Sequence, residues 1–473
     1  MIFAVFQFRP LIVALICFLP QVLFGDSASD YSKLNDYILN SPKILPTQNF
    51  SEKKVIADAV TINSTIINKP VFYSNTRFLN NVSISTAYVE EPLDIRLSHF
   101  KGSIYLDNLV TRKSVIISWN FFENNVKTYR AILQKAGLFK SNHFLEEAVF
   151  YKMKCLAICN FSLSKFYKTA DFTGSTFEGN ARFNSVIFNG DVSFEGATFS
   201  KKVSFTRSIF DKKVNFHLAN FNGGLDLSNA SFKNYVNLKN TAIDGVLNLS
   251  NIQVTKGIID LSTMISANQK KKIQLNIIGT NVSKLHLRYD NFSLYFPPTT
   301  SYQQKESTYT ALMQHFKKNG LTQSYERLYK EFYSMKYQHQ NQYLRGVLSG
   351  NFWDYGLNPS KALQWFGLMF LLFTIINAMF YLKLTKDYCT IPFLEKVNTS
   401  NAEDLNPVMR FIYFLPHAFI LTLFLFGGTF LKFGNISSLV QSRNLFIITY
   451  LLLITITGYL SLFYILAIIV RGA

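Results

Sequence analysis

From Phe161 onward, phenylalanine returns at Phe166, Phe172, Phe177, Phe183, Phe188, Phe194, Phe199, Phe205, Phe210, Phe216 and Phe221. The steps alternate five and six, so the unit is eleven residues. Continued forward, the same steps reach Leu227, Phe232, Leu238, Ile243 and Leu249; continued backward, they run to Ile62. Of the 35 positions visited, only Thr111 and Thr128 are neither apolar nor aromatic, although the chain as a whole is 48% hydrophobic. Two residues before most of these slots stands something small or β-branched, as at Val60, Ala87, Ala148, Ala170, Val192 and Val214. Asn120 and Asn142 interrupt that column and mark the coil expected to be least regular. No helical face collects steps of five and six. Two inward positions flanking one outward position make a short extended segment. Gly, Asn, Asp and Ser between the slots suit the turn that must follow. The pattern predicts a β-solenoid with stacked columns of phenylalanine.

The run Ala170-Asp171-Phe172-Thr173-Gly174-Ser175-Thr176-Phe177-Glu178-Gly179 resembles the pentapeptide-repeat family, whose unit reads small, polar, Leu or Phe, polar, polar. The resemblance implies a right-handed quadrilateral β-helix with one repeat per side, mainly β, over residues 60–292. With 22 residues to a coil, residues 62–249 make about eight and a half coils and a rod ~40 Å long. The register breaks from Leu261, and Lys284–Phe292 reads as a last irregular rung. A helical neck is expected at 302–350. It would cap the solenoid with Leu312, Phe316, Tyr325, Leu328, Phe332 and Met335 buried, and Gly320 would stop its first helix.

Residues 1–25 read as a signal peptide or N-terminal anchor, with Arg9 before an apolar stretch, and 26–59 as an N-terminal cap segment. Near the other end, 362–382 and 445–470 are free of charge and long enough to cross a hydrocarbon core of about 30 Å. Residues 411–431 hold Pro416, His417 and Gly427-Gly428, and are read as a transmembrane or re-entrant helix. Three spans would put Lys383, Lys386, Lys396 and Arg410 in a cytoplasmic loop and Arg471 at the cytoplasmic end, leaving Lys432 and Arg443 outside. Trp353–Pro359 and Gly458–Arg471 resemble segments of membrane-associated pentapeptide-repeat proteins.

Net charge is +19, with 46 Phe in 473 residues. That balance favours anionic surfaces, and beside a membrane span it points to lipid headgroups. Between residues 60 and 250 basic side chains outnumber acidic ones, which argues against DNA mimicry, and nucleic acid is not expected as a partner. Cys155 and Cys159 fall on inward positions and read as buried thiols. His99, His143, His217, His286, His315, His339 and His417 show no metal-ligand spacing. Glu178, Asp191 and Glu195 recur outward as surface acids of a repeat. No nucleotide or nucleophile-elbow motif is present. These readings give no catalytic, cofactor or metal residue and no cofactor. The expected role is a non-catalytic binding or scaffolding surface, partnered by membrane lipid and a protein, in a bacterial-type inner membrane with the repeats periplasmic. Its rival is a pore regulated by the repeats: Leu421–Phe433 sits where a pore loop would, but lacks the carbonyl-lined Thr-Val-Gly-Tyr-Gly strand of a potassium filter.

Overall fold

The alternation of inward and outward residues plays out as strands of mostly two residues, each followed by a turn. The computed structural model describes residues 54–268, 271–387, 406–427 and 445–472. The proposed leader, residues 26–53 of the cap segment, Cys17, Cys389, Lys396, Gly428, Lys432 and Arg443 lie outside the described residues. Contacts divide the chain into two compact units at Ala311–Leu312.

In the first unit the strands line up into four parallel walls. The first wall has ten strands, from Lys54–Ile56 to Gln253–Val254, and the second has nine, from Val60–Thr61 to Val236–Asn237. The third has ten, from Ile66–Ile67 to Ile265–Ser266, and the fourth eleven, from Val71–Ser74 to Phe292–Leu294. Partners stand one coil of 22 residues apart, as in Phe144 with Phe166 and Phe166 with Phe188. This is a β-solenoid of about eleven turns. It runs past Leu261: Leu285–His286 pairs with Ile259–Asp260, and Phe292–Leu294 closes the fourth wall.

Every inward phenylalanine from Phe161 to Phe221 is buried. On the first wall eight rings, from Phe78 to Phe232, stack face to face at 4.5–5.2 Å. Rings of the second and fourth walls meet edge-on across the interior, Phe161 to Phe172 at 5.2 Å and Phe172 to Phe183 at 5.3 Å. Both geometries suit the ring quadrupole, and burying each ring stabilises the fold by roughly 1.5–3 kcal/mol.

The alternation of spacing has a backbone cause. One left-handed residue recurs every eleven positions, from Ser64 and Asn75 to Asn240 and Asn251. It always lies two residues past a slot, in the five-residue step, where the N–H of Ser175 closes the turn on the carbonyl of Phe172 at 3.1 Å. Gly174 and Gly196 fill this position without strain, whereas Leu163 and Leu218 occupy it with exposed side chains.

Asn120 and Asn142, expected to mark irregular coils, instead belong to an ordered buried column with Thr76, Ser98 and Ser164. The N–H of Ser98 donates to Asn120 Oδ1 at 2.9 Å, that of Asn120 to Asn142 Oδ1 at 2.9 Å, and that of Asn142 to Ser164 Oγ at 3.1 Å. In return Asn120 Nδ2 donates to Ile95 O at 2.9 Å and Asn142 Nδ2 to Ile117 O at 2.6 Å. The two side chains thus pair buried main-chain groups from neighbouring coils.

Helices α1 (Tyr302–Lys318), α2 (Thr322–His339) and α3 (Tyr343–Trp353) form the neck segment. Gly320 is left-handed after α1, as expected of a stop. Leu312, Phe316, Leu328 and Phe332 are buried, while Tyr325 and Met335, expected there too, stay partly exposed. A third neck helix was not anticipated. Gly346, Ser349 and Gly350 form the inner side of α3, and Leu344 (81% exposed) and Leu348 (64%) its outer side.

In the second unit follow α4 (Pro359–Met379), α5 (Tyr381–Asp387), α6 (Pro407–Gly427) and α7 (Leu445–Gly472). Asn358 caps α4, accepting from Lys361 N at 3.3 Å, with Pro359 in the first turn. α4, α6 and α7 are long and apolar enough to cross a membrane. They share one apolar core, which includes Phe373, Tyr381, Phe414, Leu421, Leu451 and Ile454. A polar knot sits inside it: Asn377 Nδ2 donates to Thr422 Oγ1 at 2.8 Å, and Tyr450 Oη donates to Asn377 Oδ1 at 2.8 Å.

Candidate binding surfaces

A pleated wall shows solvent one residue in every two, so each coil adds one outward side chain to each wall at strand spacing. On the first wall the outward row reads Arg77, His99, Phe121, His143, Lys165, Ile187 and Ile209. It is tightly packed for a surface. Phe121 stands edge-on to His99 at 5.3 Å and lies 6.1 Å from His143, and His143 lies 6.3 Å from Tyr167. Lys165 Nζ sits 4.5 Å from the Tyr167 ring centre. His99 Nε2 meets Glu123 Oε1 at 2.7 Å. Burial, and then the Lys165 ammonium, hold His143 below its ordinary range, which favours the neutral imidazole. Phe121, Ile187 and Ile209 point outward yet keep only 6%, 3% and 5% of their surface.

The histidines that look scattered along the chain are thus partly gathered. His99 and His143 stand two coils apart on one row, with Phe121 between them. Comparison at steps of 22 residues, rather than five and six, would have found this row. His217 is elsewhere, on the second wall, its Nδ1 2.9 Å from Lys239 O. His286 pairs with Asp260 at 3.1 Å. Among the described residues no three His, Cys, Asp or Glu are grouped to hold a metal ion.

On the second and fourth walls the outward polar residues bond to one another. Thr173 and Ser193 hydroxyls lie 2.8 Å apart, Asn237 Nδ2 donates to Asn215 Oδ1 at 2.8 Å, and Asn248 Nδ2 to Asp226 Oδ1 at 3.0 Å. The repeated acids are engaged in the same way. Glu178 pairs with Lys154 at 3.0 Å, Asp191 accepts from Lys213 N at 2.9 Å, and Glu195 accepts from Asn215 Nδ2 at 2.9 Å. These contacts brace neighbouring coils and give no pair of carboxylates facing a common cleft. Cys155 and Cys159 are free, fully buried thiols with sulfurs 2.7 Å apart. Burial, and then the Cys155 side chain, push the Cys159 thiol well above its ordinary range, which favours the protonated thiol.

A family model described as Pentapeptide repeats matches the chain in nine copies, with residues 150–198, 161–209 and 205–253 matched. No curated protein and no solved structure matches it. The matched stretch is the part of the solenoid where phenylalanine fills most inward slots, and the four-walled stack of five- and six-residue sides extends the same architecture on both flanks. On these grounds residues 150–253 are pentapeptide repeats, and the solenoid on either side of them is built in the same way.

Proposed function

We propose that this protein is a membrane-anchored, non-catalytic binding or scaffolding protein whose solenoid stands in the periplasm of a bacterial-type cell. The observation that carries the reading is the first-wall row. Aromatic, imidazole and aliphatic side chains crowd one wall at strand spacing, while the polar second and fourth walls spend their hydrogen-bonding groups on themselves. A row of that chemistry fits a protein surface of aromatic side chains, with an acidic group for Lys165 to meet. Lipid is the second partner. The outer side of α3 carries Leu344, Val347 and Leu348 just ahead of α4, which suits the headgroup boundary of a bilayer.

The test is photo-crosslinking from the full chain in its own membrane. Crosslinkers at 143 and 165 on the first wall are expected to give one dominant adduct, and crosslinkers at 176 and 198 on the third wall none. Equal yields from both walls, or none from either, sink the reading. A second reading, a pore regulated by the repeats, is favoured by the course of α6. Its last described turn lies beside the middle of α4, with Phe426 5.5 Å from Phe370. Ion flux in planar bilayers holding the purified chain would decide for it.

A further inference from the structure

Length and composition make α6 a candidate span, but its neighbours give it a direction that two further crossings cannot accommodate. Against α4 it runs antiparallel. Phe370 meets Phe426, Asn377 bonds to Thr422, and Tyr381 stacks on Phe414 at 4.8 Å, so one numbering rises as the other falls. α7 is also antiparallel to α4: Tyr450 bonds to Asn377 and packs 6.1 Å from Phe373, while Tyr464 lies 6.1 Å from Phe366. Hence α6 and α7 are parallel to each other. Their own contacts agree, because Thr422 and Tyr450 share the Asn377 amide while, further along both helices, Gly458 lies against Phe426. A Cβ on Gly458 would run into the Phe426 carbonyl.

Consecutive spans joined by a short connection must be antiparallel. Only residues 428–444 join Gly427 to Leu445. Phe370 packs on both Phe419 at 5.2 Å and Phe426 at 5.5 Å. With Tyr381 on Phe414, this sets the last described turn of α6 near the level of Phe370, which lies eight residues, or roughly 12 Å, inside the start of the apolar run at Ala362. Completing the crossing and returning would leave about nine fully extended residues to recross ~30 Å of hydrocarbon with their peptide groups unpaired. Turning back at mid-depth removes that demand. The Asn377 knot fixes the levels, since an amide buried in hydrocarbon holds its place only while both its ends are bonded.

We propose that α6 enters the bilayer and turns back, so that α4 and α7 alone cross it. The C-terminus then shares the side from which α4 enters. That is also the side of residues 54–358, where no described helix is long and apolar enough to cross. Arg471, expected at the opposite face from the repeats, would lie on theirs. The inference rests on the reading that these helices are membrane-embedded, and it is independent of which compartment holds the solenoid.

The experiment is labelling of the full chain in sealed membrane vesicles with a membrane-impermeant maleimide. Three positions are read: Ser301→Cys, a cysteine appended after Ala473, and the native Cys389. Cys17 is replaced by serine, and the buried Cys155 and Cys159 stay silent before detergent. Residue 301 and the appended cysteine are expected to label from one side and Cys389 from the other. Labelling of the appended cysteine together with Cys389, opposite 301, would overturn the inference in favour of three spans. Labelling of all three from one side would overturn it too, by showing that α4 does not cross. The compartment in which 301 labels tests the placement of the solenoid and leaves this inference untouched.

Discussion

Asn142 is fully buried in a column where two later coils place Val186 and Ala230, and it is engaged at both ends of its amide. Truncating it would orphan the N–H of Asn120 and the carbonyl of Ile117. Asn142→Ala is therefore expected to cost about 2–4 kcal/mol in denaturant unfolding, and Asn142→Ser to recover part of it, as Ser98 and Ser164 hold the same kind of place. Thr111 is the opposite case. Its hydroxyl is buried without a hydrogen-bond partner on an inward slot, so Thr111→Val should raise stability by about 1 kcal/mol in the same measurement. His143 gives a pH signature. Its pKa in the fold lies below the ordinary 6.5, so the unfolded chain binds the proton more readily. Its contribution is complete above pH 6.5 and declines as pH falls from there through the lower folded value. Stability followed between pH 7.5 and 5 should fall less steeply for His143→Gln than for the parent.

Among the elements, the inward columns were legible from the sequence because a closed coil strongly favours apolar or self-bonded side chains there, and Phe161 to Phe221 obey that rule without exception. The first-wall row was not. Outward residues such as His99 and Phe121 carry no packing requirement that repeats from coil to coil, and their kinship appears only at the full coil length. The course of α6 was equally hidden. Composition reports that Pro407–Gly427 is apolar, and only the contacts of Phe414, Thr422 and Phe426 show which way it runs. The parallel crossing of α6 and α7 depends on the bare backbone at Gly458, where close approach supplies the attraction that hydrophobicity cannot within lipid. Gly458→Val is expected to force the pair apart and lower the detergent melting temperature by several degrees. The same change at Gly367, which has open space around it, should leave it within about one degree.

At the scale of the whole molecule, the left-handed turn residue recurring every eleven positions means that half a coil is equivalent to the other half by a twofold screw operation. Changes in chain length are therefore not alike. Removing residues 172–192 plus Ser193 joins Asp171 to Phe194 and leaves every wall as it was. Removing 172–182 joins Asp171 to Phe183, keeps each aromatic side chain inside, and rotates everything downstream by a half-turn. Both shortened chains are expected to keep the parent's circular dichroism and cooperative melting. Loss of five or six residues would put two equal steps side by side and is expected to abolish cooperativity. Recombination between repeats thus has two natural quanta: one lengthens the molecule silently, and the other exchanges which flank of it a partner meets.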